Sequence, residues 1–203
     1  MLASDLVHMS RRRWAGMVLL LAGVQFTLLL IVAESQYPGY NAGANVISDL
    51  GVWSEPSAII FNPSVIAFGA LAVIAAYLIK DEADMCHIPI LMALSGVGAI
   101  GVGLFPETTH LPHVVSAGIA FGVGGIACVN CYRIVKSPLN YLLLGLGLLG
   151  LIALVLTGMK IDVGIGIGGI ERMVAYPIII WILMMGAILA NGPDEASSCS
   201  CKN

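Results

Sequence analysis

Long apolar runs alternate with short polar connections along the whole chain. The runs fall at about 14–33, 58–79, 88–105, 111–132, 139–159 and 173–190. Each approaches the roughly 20 residues that carry a helix across about 30 Å of hydrocarbon. The pattern predicts an all-α integral membrane protein, a six-transmembrane-helix bundle in which residues 1–203 form one polytopic domain and 191–203 a short tail. Helix punctuation supports the boundaries. Ser137-Pro138 reads as an N-cap followed by proline at the first helical position, where its missing N–H costs nothing. Asn62-Pro63 reads either as the same device, with Asn62 capping the second helix, or as part of a polar pocket. Pro177 falls inside the sixth run and predicts a kink. The first run is too long for a signal-peptide core and no small-x-small cleavage site closes it, so it is expected to stay as a span.

Composition agrees with the pattern. The chain is 59% hydrophobic and 10% charged, where soluble domains carry about 25% charged residues. A net charge of −3, thinly spread, argues against a nucleic-acid partner. Lysine and arginine then orient the spans. Arg11, Arg12, Arg13, Lys80, Arg133, Lys136 and Lys202 fall at one end, and Lys160 and Arg172 at the other. This asymmetry predicts both termini cytoplasmic in a multi-pass protein of the cell membrane. All the cysteines then lie on the reducing side, as expected for free thiols. Cys128 and Cys131 read more simply as small buried side chains than as a redox pair.

The run interiors hold no Asp, Glu, Lys or Arg away from their ends. Such a charge at the bilayer centre costs roughly 2.5–3.5 kcal/mol and is kept for function, which counts against a charged midplane transport site. Polar groups collect instead in the outer connections. The first supplies Glu34, Asn45, Ser48, Asp49 and Glu55, the second Glu107, His110 and His113, the third Lys160, Asp162, Glu171 and Arg172. Short loops at one end of a bundle lie close together, so these side chains can share a pocket. Asp49 and Glu107 are candidates for a catalytic base. His110 and His113, three apart, could face one side of a helix start and ligate zinc with a neighbouring carboxylate, or simply sit at the interface. Glu171 and Arg172 open the sixth run. Arg172 could clamp an anionic group or form a structural pair with Asp49 or Glu107.

Residues 164–169, GIGIGG, match G-x-G-x-x-G in letters only, because no strand precedes them, and no nucleotide site is expected. Ser48 lacks the G-x-S-x-G context of a nucleophile elbow. Gly96, Gly98, Gly101, Gly103, Gly118 and Gly122 instead suit close helix approach within the bundle or between copies of it.

Four elements carry a resemblance: N-x-x-S-D-L-G at 45–51, F-N-P-S at 61–64 with a following glycine, F-P-E at 105–107 with a downstream histidine, and G-I-E-R-x-x-x-Y-P…W at 169–181. In this order on six spans they resemble the membrane family catalogued as domain of unknown function 998, over nearly the whole chain. The resemblance implies a six-helix membrane protein and selects Asn45, Ser48, Asp49, Asn62, His110 or His113, Glu171 and Arg172 as signature positions. Two readings of function follow. One is a lipid-binding, transport or scaffold bundle with membrane lipids as partners. The other is a membrane-embedded enzyme, such as a metal-dependent hydrolase, acting on a lipid or lipid-linked substrate at the outer interface. In the enzyme reading Asn45, Ser48, Asn62, Glu171 and Arg172 bind substrate, Asp49 or Glu107 is the base, and zinc sits on the histidines.

Overall fold

A computed structural model describes residues 9–192, and the described chain is helical, with no strand among the described residues. Six principal helices follow one another: α1 (Arg11–Gln36), α2 (Ala58–Leu78), α3 (Ile88–Leu104), α4 (Leu111–Arg133), α5 (Leu139–Met159) and α6 (Ile167–Asn191). Five are long and apolar enough to cross a membrane, and α3, at 17 residues, is a shorter apolar helix. The chain is thus a multi-pass membrane bundle. Lys202, Cys199, Cys201 and most of the 191–203 tail lie outside the described residues, as do Met1–His8.

Each helix packs on its neighbours in sequence, and α6 closes against α1. Leucine and isoleucine side chains such as Leu21, Leu28, Ile59 and Ile152 face outward, more than half exposed, as lipid-facing surface requires. Inside, backbones approach closely where glycine removes the side chain. A Cβ on Gly69 of α2 would lie 2.4 Å from the Gly96 carbonyl oxygen of α3, so the two helices touch backbone to backbone. Gly118 has nothing within 4 Å of where a side chain would begin, and Gly122 meets only Leu154 at 3.7 Å. The expectation that these two promote packing within the bundle therefore does not hold.

Helix beginnings differ from their sequence readings at three places. Helix α2 starts at Ala58, so Asn62 is a buried residue of its second turn and Pro63 lies inside the helix. Pro138 itself occupies the N-cap position of α5, and no side chain caps it. Helix α6 starts at Ile167, before the apolar run, because Gly166 takes φ +76° as its N-cap and turns the chain directly into the helix. Glu171 and Arg172 consequently sit in its second turn. Pro177 lies inside α6 as expected. Cys86 is disulfide-bonded, against the expectation of free thiols throughout, while Cys128 and Cys131 are buried and free.

Helix α4 is not uniform. Its α-helical turns are interrupted by a π-helical segment, Gly118–Val123, and it ends in a short 3-10 turn. A π segment admits an extra residue per turn and loosens the regular ladder. Here the Ala120 carbonyl also accepts the hydroxyl of Ser95 from α3 at 2.7 Å.

Candidate functional site

The connection between α1 and α2 folds back over one end of the bundle. Arg172 fastens it. Its guanidinium is buried, and Nη1 lies within hydrogen-bond distance of the carbonyl oxygens of Ala42 (2.7 Å), Asn45 (3.1 Å) and Gly168 (2.9 Å). Nη2 donates to Glu34 Oε1 at 2.7 Å and to the Tyr40 hydroxyl at 2.6 Å. Arg172 therefore pairs with Glu34 from the end of α1, and not with Asp49 or Glu107. Burial pushes the Tyr40 phenol up to about 12, although the adjacent guanidinium pulls the other way, so Tyr40 is a neutral hydroxyl at ordinary pH.

The glycine run explains how the loop comes so close. A Cβ on Gly168 would stand 2.1 Å from the Asn45 carbonyl oxygen and 2.5 Å from that of Ala42. The Gly168 N–H donates to the Gly43 carbonyl at 3.1 Å. Asp162 shapes the approach by accepting the N–H groups of Gly164 (2.8 Å) and Gly166 (3.1 Å). GIGIGG is a docking floor for the first loop.

Beyond the Arg172 clamp the loop forms a 3-10 turn, Ile47–Gly51. Asn45 Nδ2 donates to Asp49 at 3.1 Å, so Asp49 is occupied inside the loop. Asn62 Nδ2 donates to the Gly51 carbonyl at 2.9 Å, tying the turn to α2 in place of capping that helix. Ser57 adds a bond from its hydroxyl to the Leu50 carbonyl at 2.8 Å. The Glu171 carboxylate accepts the N–H of Ile47, and the Ser48 hydroxyl donates to Glu107 Oε2 at 2.8 Å. Ser48 also faces Glu171 through its backbone and hydroxyl. One buried hydroxyl thus stands between two carboxylates.

The two histidines part company. His110 is exposed with φ +56°, in the turn before α4. His113, in the first turn of the helix, is buried, with Nδ1 2.8 Å from the Phe105 carbonyl oxygen. A carbonyl can only accept, so Nδ1 carries a proton. Among the described residues no group of three or more His, Cys, Asp or Glu is arranged to hold a metal ion.

Beneath this polar cap lies a cavity of about 50 Å³. Ser48, His113 and Glu171 line it together, with Ser95 the other polar residue. Its walls include Phe26, Phe61, Phe68 and Phe121, which are four of the chain's five phenylalanines. The Phe26 and Phe68 centroids are 5.2 Å apart. The structure thus brings Ser48, Glu107, Glu171 and His113 together at one roof. Asn45, Asp49, Asn62 and Arg172 serve the loop above it, and His110 stands apart. Sequence reasoning missed the aromatic walls, although Phe61 and Phe68, seven apart, already share a helix face. It also missed Tyr40, which carries no periodic signal.

A family model described as a protein of unknown function, DUF998, matches residues 10–188. The chain belongs to the DUF998 family. No curated protein and no solved structure matches it. The DUF998 match spans all six helices up to the last turn of α6, and with them every residue of the clamp and the roof.

Proposed function

We propose that this DUF998 protein is a six-span protein of the cell membrane, with both termini cytoplasmic, that binds an amphiphilic membrane molecule inside its bundle. The carrying observation is the cavity: an apolar, aromatic-walled chamber roofed by Ser48, Glu171 and His113. A small set of polar groups converging on an apolar hollow is the usual form of a ligand site. Arg172, already bonded to its own loop, serves as a latch that holds the roof in place. Helix α3, at 17 residues, sits at the lower limit for a span.

The test is native mass spectrometry of the full chain purified from membranes. A retained amphiphile of defined mass is expected, and it should be lost when Ala99, buried on the chamber wall, is replaced in Ala99→Leu. Protein free of any bound amphiphile in gentle detergent would overturn the reading.

One observation favours a second reading, a membrane-embedded hydrolase. The Ser48 hydroxyl donates to Glu107 beside the chamber that His113 also lines. In that reading Glu107 takes the Ser48 proton as the oxygen attacks an ester carbonyl, returns it to the departing alcohol as the ester C–O bond breaks, and water then hydrolyses the acyl-Ser48. Covalent labelling by a fluorophosphonate, absent in Ser48→Ala, would establish it, and its absence in the wild type would remove it.

A further inference from the structure

The chamber has an unusual balance of hydrogen-bonding groups. Three donors at the roof are spent within the protein: the Ser48 hydroxyl on Glu107, the Ile47 N–H on Glu171, and the His113 Nδ1–H on the Phe105 carbonyl. Lower on the wall, the Ser95 hydroxyl is spent on the Ala120 carbonyl. What remains at the hollow is acceptor capacity on the Glu171 carboxylate, with His113 lining beside it and Glu107 bonded to Ser48. Charge tells the same story. Among the described residues neither Glu107 nor Glu171 has an ion-pair partner, and the nearby guanidinium of Arg172 is committed to Glu34. A carboxylate that faces an apolar hollow is neutralised by a proton or by a compensating cation. The walls suit one as well, since Phe26, Phe61, Phe68 and Phe121 line the hollow and a phenyl face attracts a cation. An anionic group would meet Glu171 and Glu107 with no free cation beside them among the described residues.

We infer that the chamber recognises a protonated aliphatic amine, whose N–H groups bond to Glu171 and His113 while its first carbons pack among the phenylalanines. This rests on the ligand-binding reading above and specifies the chemical class of the ligand. The size is suitable. About 50 Å³, at roughly 10–15 Å³ per water position, holds the equivalent of a few waters, hence an ammonium with a short stretch of chain.

Calorimetric titration of the full chain in detergent with hexylammonium, 1-hexanol and hexyltrimethylammonium tests this. Hexylammonium should bind at least about tenfold more tightly than 1-hexanol. The trimethyl probe, which keeps the charge but lacks N–H donors, should fall between them. Glu171→Gln still offers an oxygen to the Ile47 N–H. It should keep the wild-type unfolding temperature while losing the preference for the amine over hexanol. Phe121→Leu should weaken hexylammonium a few-fold more than it weakens hexanol. Equal affinity for hexylammonium and hexanol, or a preference that persists in Glu171→Gln, would overturn the inference while the ligand-binding reading stands. If no probe binds, both fail together. The source of the amine is read in a second arm, with the protein in nanodiscs of phosphatidylethanolamine or phosphatidylglycerol. Retention of the former alone assigns a lipid headgroup. Retention of neither, with hexylammonium binding intact, assigns a free amine.

Discussion

Arg172 is 7% exposed, and a guanidinium so placed has exchanged water for fixed acceptors. Those acceptors come from α1, from the first loop and from its own helix, which makes one side chain the joint of three chain segments. Removing it would leave Glu34 without its partner and expose the Ala42 and Asn45 carbonyls to an empty space. Breaking a buried pair from one side costs roughly 3–5 kcal/mol, and the one-quarter exposure of the Glu34 side chain places this case near the lower figure. Arg172→Ala should therefore lose about 3 kcal/mol, read as a lowered unfolding temperature in detergent. Arg172→Lys should recover little, because a single ammonium cannot serve acceptors spread across a planar fork. An Arg172→Ala protein that melts with the wild type would show that the latch is ornamental. From sequence alone the importance of Arg172 was legible, but its partner was not. Glu34 sits 138 positions away, and only the fold of the intervening loop selects it over Asp49 or Glu107.

At the scale of elements, the six helices were legible because apolar runs of this length have few alternatives to spanning, and most of their boundaries fall within a few residues of the runs. The failures have a common cause. Asn62, Gly166 and Gly168 were judged by local rules, as a helix cap and as loop glycines. Their places are decided instead by a loop from elsewhere packing onto them. Close packing of that kind makes a sharp expectation. Gly168→Ala adds one methyl group to an α-helical position, which by propensity alone should stabilise the helix slightly. The methyl would stand 2.1 Å from the Asn45 carbonyl oxygen, so the loop must lift. Gly168→Ala should make residues 37–57 sensitive to protease while α6 stays intact, whereas Gly145→Ala, with nothing within 4 Å, should leave cleavage unchanged. Equal protease resistance in the two variants would mean that the first loop is held by other contacts.

The whole molecule has two unlike ends. At one, the loop latch pairs Arg172 with Glu34, and the roof holds Glu107 and Glu171 on Ser48 and Ile47. At the other, Arg12 joins the start of α1 to the connection after α2, with bonds to Glu82 at 3.1 Å and Asp84 at 3.0 Å. Those carboxylates do not offset Arg12 in orienting the chain, because insertion follows lysine and arginine and is nearly indifferent to acidic residues. Orientation thus rests on the excess of Arg11–Arg13, Lys80, Arg133 and Lys136 over Lys160 and Arg172. The cysteines no longer support it, since Cys86 is disulfide-bonded. Two exposed lysines on opposite ends of α5, Lys136 just before it and Lys160 just after it, permit a clean measurement. In intact cells an impermeant maleimide should label Lys160→Cys and leave Lys136→Cys unlabelled until the membrane is opened. The reverse pattern would invert the protein and put the roofed chamber at the cytoplasmic face. Labelling of both without permeabilisation would deny that α5 crosses the bilayer. The expected pattern would also fix the side from which an amphiphile meets the roof. Glu107 is exposed and the Ser48 hydroxyl bonded to it lines the chamber, so with that pattern the polar end of the hollow would lie at the outer interface, where a headgroup would sit.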